Sequence, residues 1–202
     1  MNKVTSPTTD SFREKGSKFI GYLFPIESKE AFELRLNETK SEYPDATHHC
    51  YGWRIDPSNL LEFSQDDGEP SGTAGLPILN QLKSFEVINT AIIVVRYYGG
   101  TNLGKSGLIQ AYGRSAEHCL QKADLEPIHL IWEVVINYPY PMQNIIEKIM
   151  YQYNLKELDS SYRENVKLKV ACPIQQKVLL EKKLSQLEHK EIKSNFLRKG
   201  FI

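Results

Sequence analysis

Apolar and polar positions alternate with a period of two over Trp132–Tyr138, where Trp132, Val134, Ile136 and Tyr138 interleave with Glu133 and Asn137. That pattern predicts a strand with one buried face. After Pro141 the period changes: Met142, Ile145, Ile146, Ile149, Met150 and Tyr153 recur at steps of three and four, the stripe of an amphipathic helix. Two closely spaced strands follow over 157–163 and 165–172, the second alternating Val166, Leu168, Val170 and Cys172 with Lys167 and Lys169. Pro173 then opens a helix carrying Ile174, Val178, Leu180, Leu184 and Leu187, and a last strand runs from Glu191 to about Leu197 with Ile192 and Phe196 inward. The order β-α-β-β-α-β is that of the ferredoxin-like, split βαβ arrangement, in which two helices cover one face of a four-stranded sheet and leave the other open.

The first 126 residues read as a separate α+β unit. Strands are predicted over 17–26, 48–55, 60–65 and 91–98, and a helix over 29–43 places Phe32, Leu36, Thr39 and Tyr43 on one face. A glycine-rich loop from Asp66 to Gly75 leads into a helix over 76–85, with Pro77 in its first turn. A further helix over 107–123 buries Leu108, Tyr112, Ala116, Cys119 and Leu120. The boundary falls at Asp124–Pro127, giving domains 1–126 and 127–202.

Composition narrows the function classes. With 41% hydrophobic residues, 11 Tyr and 8 Phe in 202 residues, the chain has the apolar surface to build cores. Its net charge is zero, but this is a cancellation: residues 1–126 hold 13 Lys plus Arg against 17 Asp plus Glu, and residues 127–202 hold 12 against 8. A basic second domain restores the nucleic-acid partner that a neutral whole seemed to exclude. Three widely spaced cysteines, Cys50, Cys119 and Cys172, read as a reduced, cytoplasmic protein without a disulfide framework, and no C-x-x-C pair suggests zinc. The segment Met1–Asp10 lacks the apolar run of a signal peptide, and the longest apolar stretch, Ala91–Val95, is far short of the roughly 20 residues that span a bilayer. No membrane partner is expected.

Four groups of residues could carry chemistry. Gly99–Ser106 reads GGTNLGKS and satisfies the G-x-x-x-x-G-K-S phosphate-loop pattern between a strand and a helix. A nucleotide site would also need a parallel sheet and an acidic strand end for magnesium, and neither is evident; the alternative is a tight turn made by glycines. Asp66–Gly75 reads DDGEPSGTAG, whose carboxylates lack the alternating spacing of a calcium loop. Ser71 and Thr73 lead into a helix N-terminus, so an anion site with Arg96, Lys105 or Arg114 is one reading, and a pairing of Asp67 or Glu69 with Arg96 that fixes the loop is the other. His48, His49 and Cys50 alternate faces on a strand and cannot all reach one ion, which favours packing over a metal site or a nucleophile. On the open face of the second domain, Lys167, Lys169 and Lys193 point outward and could track a phosphate backbone, with only Tyr162 nearby for base stacking.

Taken in order, Lys18-Phe19-Ile20, His48-His49-Cys50, the DDGEPSGTAG run with Pro77, Val94-Val95-Arg96-Tyr97-Tyr98-Gly99-Gly100, Leu103-Gly104, Gly107-Leu108 and Ala111-Tyr112-Gly113 resemble the YigZ/IMPACT family over most of residues 15–115. The resemblance implies a first domain similar to domain IV of the translocation elongation factor and to a domain of a small-subunit ribosomal protein, and a second similar to elongation factor domain V. It implies a non-catalytic protein without a cofactor that binds RNA or the ribosome and modulates translation, with a partner in the translation machinery as a further candidate. It also points to one surface or folding nucleus formed by Asp66, Asp67, Glu69 and Thr73 with Arg96, Tyr97, Tyr98, Gly99 and Gly100, in which one of the two tyrosines faces inward. The rival readings are an enzyme or anion-binding protein centred on the GGTNLGKS and DDGEPSGTAG loops, and a protein-interaction module.

Overall fold

The computed structural model describes residues 1–202, and its internal contacts divide the chain into units Met1–Pro127 and Ile128–Ile202. The first contains β1 (Asn2–Val4), β2 (Thr8–Glu14), β3 (Ser17–Pro25), α1 (Lys29–Glu42), β4 (His48–Ile55), β5 (Leu61–Gln65), α2 (Gly75–Ser84), β6 (Thr90–Tyr97), α3 (Gly104–Lys122) and β7 (Leu125–Pro127). Five strands form a sheet in the order β2-β3-β6-β4-β5, every neighbouring pair antiparallel. Central β6 is buried on both faces, which is why its sequence is a continuous β-branched run rather than an alternation. Odd and even positions of β3, β4 and β6 serve different cores. Phe19, Leu23, Cys50, Ile92 and Val94 pack with α2 and α3, while Ile20, Phe24, Trp53, Ile93 and Val95 pack with Phe32 of α1.

Two features lay outside the periodicity. Strand β2, TTDSFRE, has a single apolar residue, and as the sheet edge it is held by its backbone ladder to β3, so no hydrophobic alternation marks it. The segment expected as a bare boundary is instead β7, which pairs with β1 in a two-stranded ribbon. Three-residue strands are too short to show a period.

The second unit contains β8 (Leu130–Tyr138), α4 (Gln143–Gln152), β9 (Lys156–Tyr162), β10 (Val166–Pro173), α5 (Lys177–Ser185) and β11 (Lys193–Phe201). Its sheet runs β11-β8-β10-β9 with all neighbours antiparallel. Val134, Ile136, Tyr138, Val166, Leu168, Val170 and Cys172 meet Ile146 and Ile149 of α4 and Leu180 and Leu184 of α5 in one core. Val178, expected inside, is 71% exposed. At about 100° per residue it lies across the helix from Leu180, which with Leu184 and Leu187 sets the inward stripe. Strand β11 begins after Ile192 and carries a bulge between Phe196 and Arg198, which resets its facing beyond Phe196. No helix is long and apolar enough to cross a membrane.

Candidate functional site

The DDGEPSGTAG loop is organised from Asp66. Its Oδ1 accepts from the backbone N–H groups of Ala74 (3.0 Å) and Gly75 (2.8 Å), and its Oδ2 from that of Gly72 (2.8 Å). The anion at the N-terminus of α2 is therefore an internal carboxylate eight residues upstream, satisfying donors the helix leaves unpaired. Gly75 is required here because a Cβ would stand 2.5 Å from the Gln65 nitrogen. Thr73 is buried and its hydroxyl donates to the Pro70 carbonyl (2.6 Å); Ser71 is exposed. The expected anion position between Ser71 and Thr73 is thus already filled by the protein, and sequence reading missed Asp66 as the cap because a helix cap is ordinarily sought one residue before the helix.

Glu69 is the second hub. Its carboxylate, 4% exposed, pairs with the Arg96 guanidinium and accepts from the Tyr112 hydroxyl (2.7 Å), and the Nε2 of His48 lies 3.7 Å away. Arg96 also donates to Ser17 Oγ (3.2 Å), which in turn accepts from the Gly99 N–H (3.1 Å), and its guanidinium lies 5.4 Å from the ring centroids of both Phe19 and Tyr98. Of the two pairings the sequence offered, Arg96 takes Glu69. Asp67 turns elsewhere: its carboxylate accepts from the His49 N–H (2.7 Å), and its carbonyl accepts from His48 Nδ1 (2.7 Å), which fixes the proton on that nitrogen. Tyr112, read from the helical stripe as plain core, belongs to this network; burial pushes its phenol far above the ordinary range. Burial lowers the His49 imidazole, so it is neutral at pH 7.

His48 and Cys50 share a face but make no nucleophilic pair. The Cys50 thiol donates to the Asp66 carbonyl (3.0 Å), and burial drives it far up. Burial also pushes Cys119 up to about 12 and Cys172 to about 11, and all three thiols are free and buried. No three His, Cys, Asp or Glu side chains gather to hold a metal ion.

The GGTNLGKS segment joins β6 to α3 as a phosphate loop would, but β6 is flanked by antiparallel β3 and β4, not by the parallel neighbours of that site. Its glycines answer to packing and turning. A Cβ on Gly99 would lie 1.9 Å from the Gly16 carbonyl carbon, and Gly100 and Gly104 hold φ of +81° and +73°. Lys105 is exposed and makes no ion pair, while Arg114 pairs with Glu14 (3.4 Å) and Arg96 is spent on Glu69. Of the tyrosines, Tyr97 is partly buried against the α1-side core and Tyr98 is the exposed one, its hydroxyl donating to Asn102 (3.2 Å).

In the second unit, both helices pack on one face of the sheet and the other carries the basic row. Lys167 and Lys193 stand on either side of Asn137 in register and make no ion pair. Lys169 does not belong with them. Its ammonium lies 3.0 Å from Glu133, which Arg198 also grips with two hydrogen bonds of 3.1 Å, first Arg198 and then Lys169 holding that carboxyl below its usual range. The diagonal placement of Glu133 and Lys169 across β8 and β10 is a property of register, invisible in either strand alone. Tyr162 pairs with inward-facing Val166, so it sits on the helix side and offers the open face no stacking ring.

The family model of the Impact N-terminal domain matches residues 15–120. Among curated proteins, the chain is 37% identical over 171 residues to "IMPACT family member YigZ" of Escherichia coli, covering 83% of each, and 34% identical over 152 residues to "IMPACT family member YvyE" of Bacillus subtilis, covering 74% of this chain and 69% of the relative. A crystal structure of a hypothetical protein superposes with a TM-score of 0.64 at 30% identity, covering 98% of this chain and 97% of the other.

Proposed function

Because the chain belongs to the IMPACT family, we propose that it is a non-catalytic, cytoplasmic RNA- or ribosome-binding protein that modulates translation, its two units corresponding to domains IV and V of the translocation elongation factor. The observation that carries the reading is the exposed Asn137 end of the second sheet's helix-free face. There Lys167 and Lys193 flank Asn137 without a carboxylate partner, in a unit holding four more cations than anions. Two free ammonium groups on the strands that flank β8 suit contacts to an extended phosphodiester backbone better than a buried substrate.

The reading is tested by sedimentation with ribosomes and by anisotropy with a structured RNA, each at about 50 and about 200 mM salt. Binding that weakens with salt and again on Lys167→Glu with Lys193→Glu is the expected result. No binding at low salt, or binding indifferent to both reversals, refutes it. Retention of a translation-machinery protein after nuclease treatment would instead favour the protein-interaction alternative.

A further inference from the structure

The two faces of the five-stranded sheet are unequally covered. Helices α2 and α3 pack on one. On the other lies α1 alone, its Phe32 ring centroid 4.7 Å from that of Tyr51 and 6.3 Å from that of Trp53, and its Tyr43 ring 5.7 Å from Tyr22. A helix about 10–12 Å across cannot roof five strands whose axes span about 19 Å, and what it leaves are the flanks on edge strands β2 and β5. The ladder identifies the residues of each flank. On β2 they are Thr9, Ser11 and Arg13, opposite Tyr22, Ile20 and Lys18, a polar row suited to water. On β5 they are Leu61, Phe63 and Gln65, opposite Ile55, Trp53 and Tyr51. Leu61 and Phe63 are 47% and 46% exposed, and the Phe63 ring extends the aromatic surface of Trp53 at 5.8 Å.

Strand β5 also lacks the devices that keep an edge from pairing, which are charges and bulges. Strand β2 carries Asp10, Arg13 and Glu14. Strand β9 carries Lys156, Glu157 and Asp159 with a bulge in its ladder to β10, and β11 carries Lys193, Arg198 and Lys199 with a bulge after Phe196. By contrast, β5 pairs with β4 without interruption, and its single charge, Glu62, is turned to the α2 face and held by Arg54 (2.9 Å) and Lys83 (2.6 Å). A charged segment would find no free counter-charge on this edge. What complements it is a strand equally apolar and neutral, and the chain supplies one in its own β5. Two copies related by a two-fold axis perpendicular to the sheet pair antiparallel and keep each residue on its own face, so facing residues have numbers of equal parity. Centred on Glu62, the pairing opposes two carboxylates, and centred on Ser64 it sets Glu62 against Asp66. Centred on Phe63, it sets Phe63 against its own copy and Leu61 against Gln65. It also sets the Ser64 hydroxyl opposite the Glu62 carboxylate, with no like charges opposed.

We propose that the chain forms a homodimer through this edge, β5 pairing antiparallel with its copy about Phe63 to make one ten-stranded sheet from two of five. Leu61 and Phe63 of both copies then form a shared apolar strip, which accounts for their exposure in the single chain. The inference is independent of the RNA reading.

The test is sedimentation velocity of the full chain over a concentration series, with circular dichroism on each variant. Wild-type protein should pass from one to two chain masses as concentration rises. Phe63→Lys, which brings two ammonium groups together at the axis, should stay at one mass. Because Phe63 also stacks on Trp53, a cysteine series fixes the register separately and decides the matter if Phe63→Lys loses its fold. Opposed residues of an antiparallel pair have Cα atoms about 4.5–5.5 Å apart, within reach of a disulfide, and the three native thiols are buried. Under mild oxidation Phe63→Cys should link to itself, and Leu61→Cys should link to Gln65→Cys in a mixture but neither to itself. A chain that keeps one mass at every concentration overturns the proposal, whatever other protein the edge captures. So does a dimer that survives Phe63→Lys with its fold intact, or cysteines that link in any other pattern.

Discussion

Replacing Glu69 by glutamine keeps the shape of the side chain and removes one charge. Both strong partners of this carboxylate, Arg96 Nη1 and the Tyr112 hydroxyl, meet the same oxygen, Oε1. The amide oxygen of the substituted side chain can occupy that place and keep both hydrogen bonds in neutral form. What is lost is the counter-charge of a guanidinium only 5% exposed. Removing one partner of a buried ion pair costs about 3–5 kcal/mol, and since the hydrogen bonds persist, the lower end applies, about 3 kcal/mol. Glu69→Ala, which also strands the Tyr112 hydroxyl, should cost about 1–2 kcal/mol more. Adding Arg96→Met to Glu69→Gln removes the orphaned charge and should recover about 1 kcal/mol or more. The assay is urea unfolding followed by fluorescence. The chain has two tryptophans, Trp53 and Trp132, one in each unit, so a Trp132→Phe background reports the first unit alone. A loss below about 1 kcal/mol for Glu69→Gln, or no recovery in the double variant, would refute the buried staple, since that is the scale of an exposed pair.

Three further outcomes are expected. Asp66→Ala removes the two oxygens that accept three backbone N–H groups at the α2 terminus and should cost about 2–4 kcal/mol, whereas Asp66→Asn, which can keep the oxygen serving Ala74 and Gly75 and loses that serving Gly72, should fall between, as urea midpoints would show. Gly99→Ala would place a methyl 2.2 Å from the Ser17 nitrogen, so the variant should fail to accumulate as folded protein, while Gly72→Ala, with open space and only a φ of +74° to oppose it, should fold with a loss of about 1 kcal/mol. Hydrogen bonds from Arg198 and then Lys169 hold the Glu133 carboxyl below its reference value of 4.5. The stability it lends is therefore full above about pH 4.5 and lost as pH falls from there through the folded-state value, and Glu133→Gln should flatten that part of an acid-unfolding profile.

A great deal of this chain was legible residue by residue. The strands β3, β4, β6, β8 and β10 and the helices α1, α3 and α4 follow from the 2.0 and 3.6 periods of their buried positions, because burying an apolar face is what selects them. The split βαβ order of the second unit follows from the succession of those periods. The sequence also exposed the charge asymmetry of the two halves and the glycines of the two loops. What it could not decide is which polar residue answers which. Asp66, Asp67 and Glu69 are near neighbours in the chain, and each could have paired with Arg96 or with several other groups. Only the approach of β4, β6, α2 and α3 makes Asp66 a helix cap, Asp67 a clamp on the two histidines and Glu69 the counter-ion of a buried arginine. The same holds for Lys169, taken out of the basic row by a carboxylate on the next strand, and for Arg13 and Lys18, set face to face by the ladder. Hydrophobic burial is a one-body preference that each position declares for itself. Electrostatic pairing is a two-body property, and the second body is supplied by strand register and helix placement.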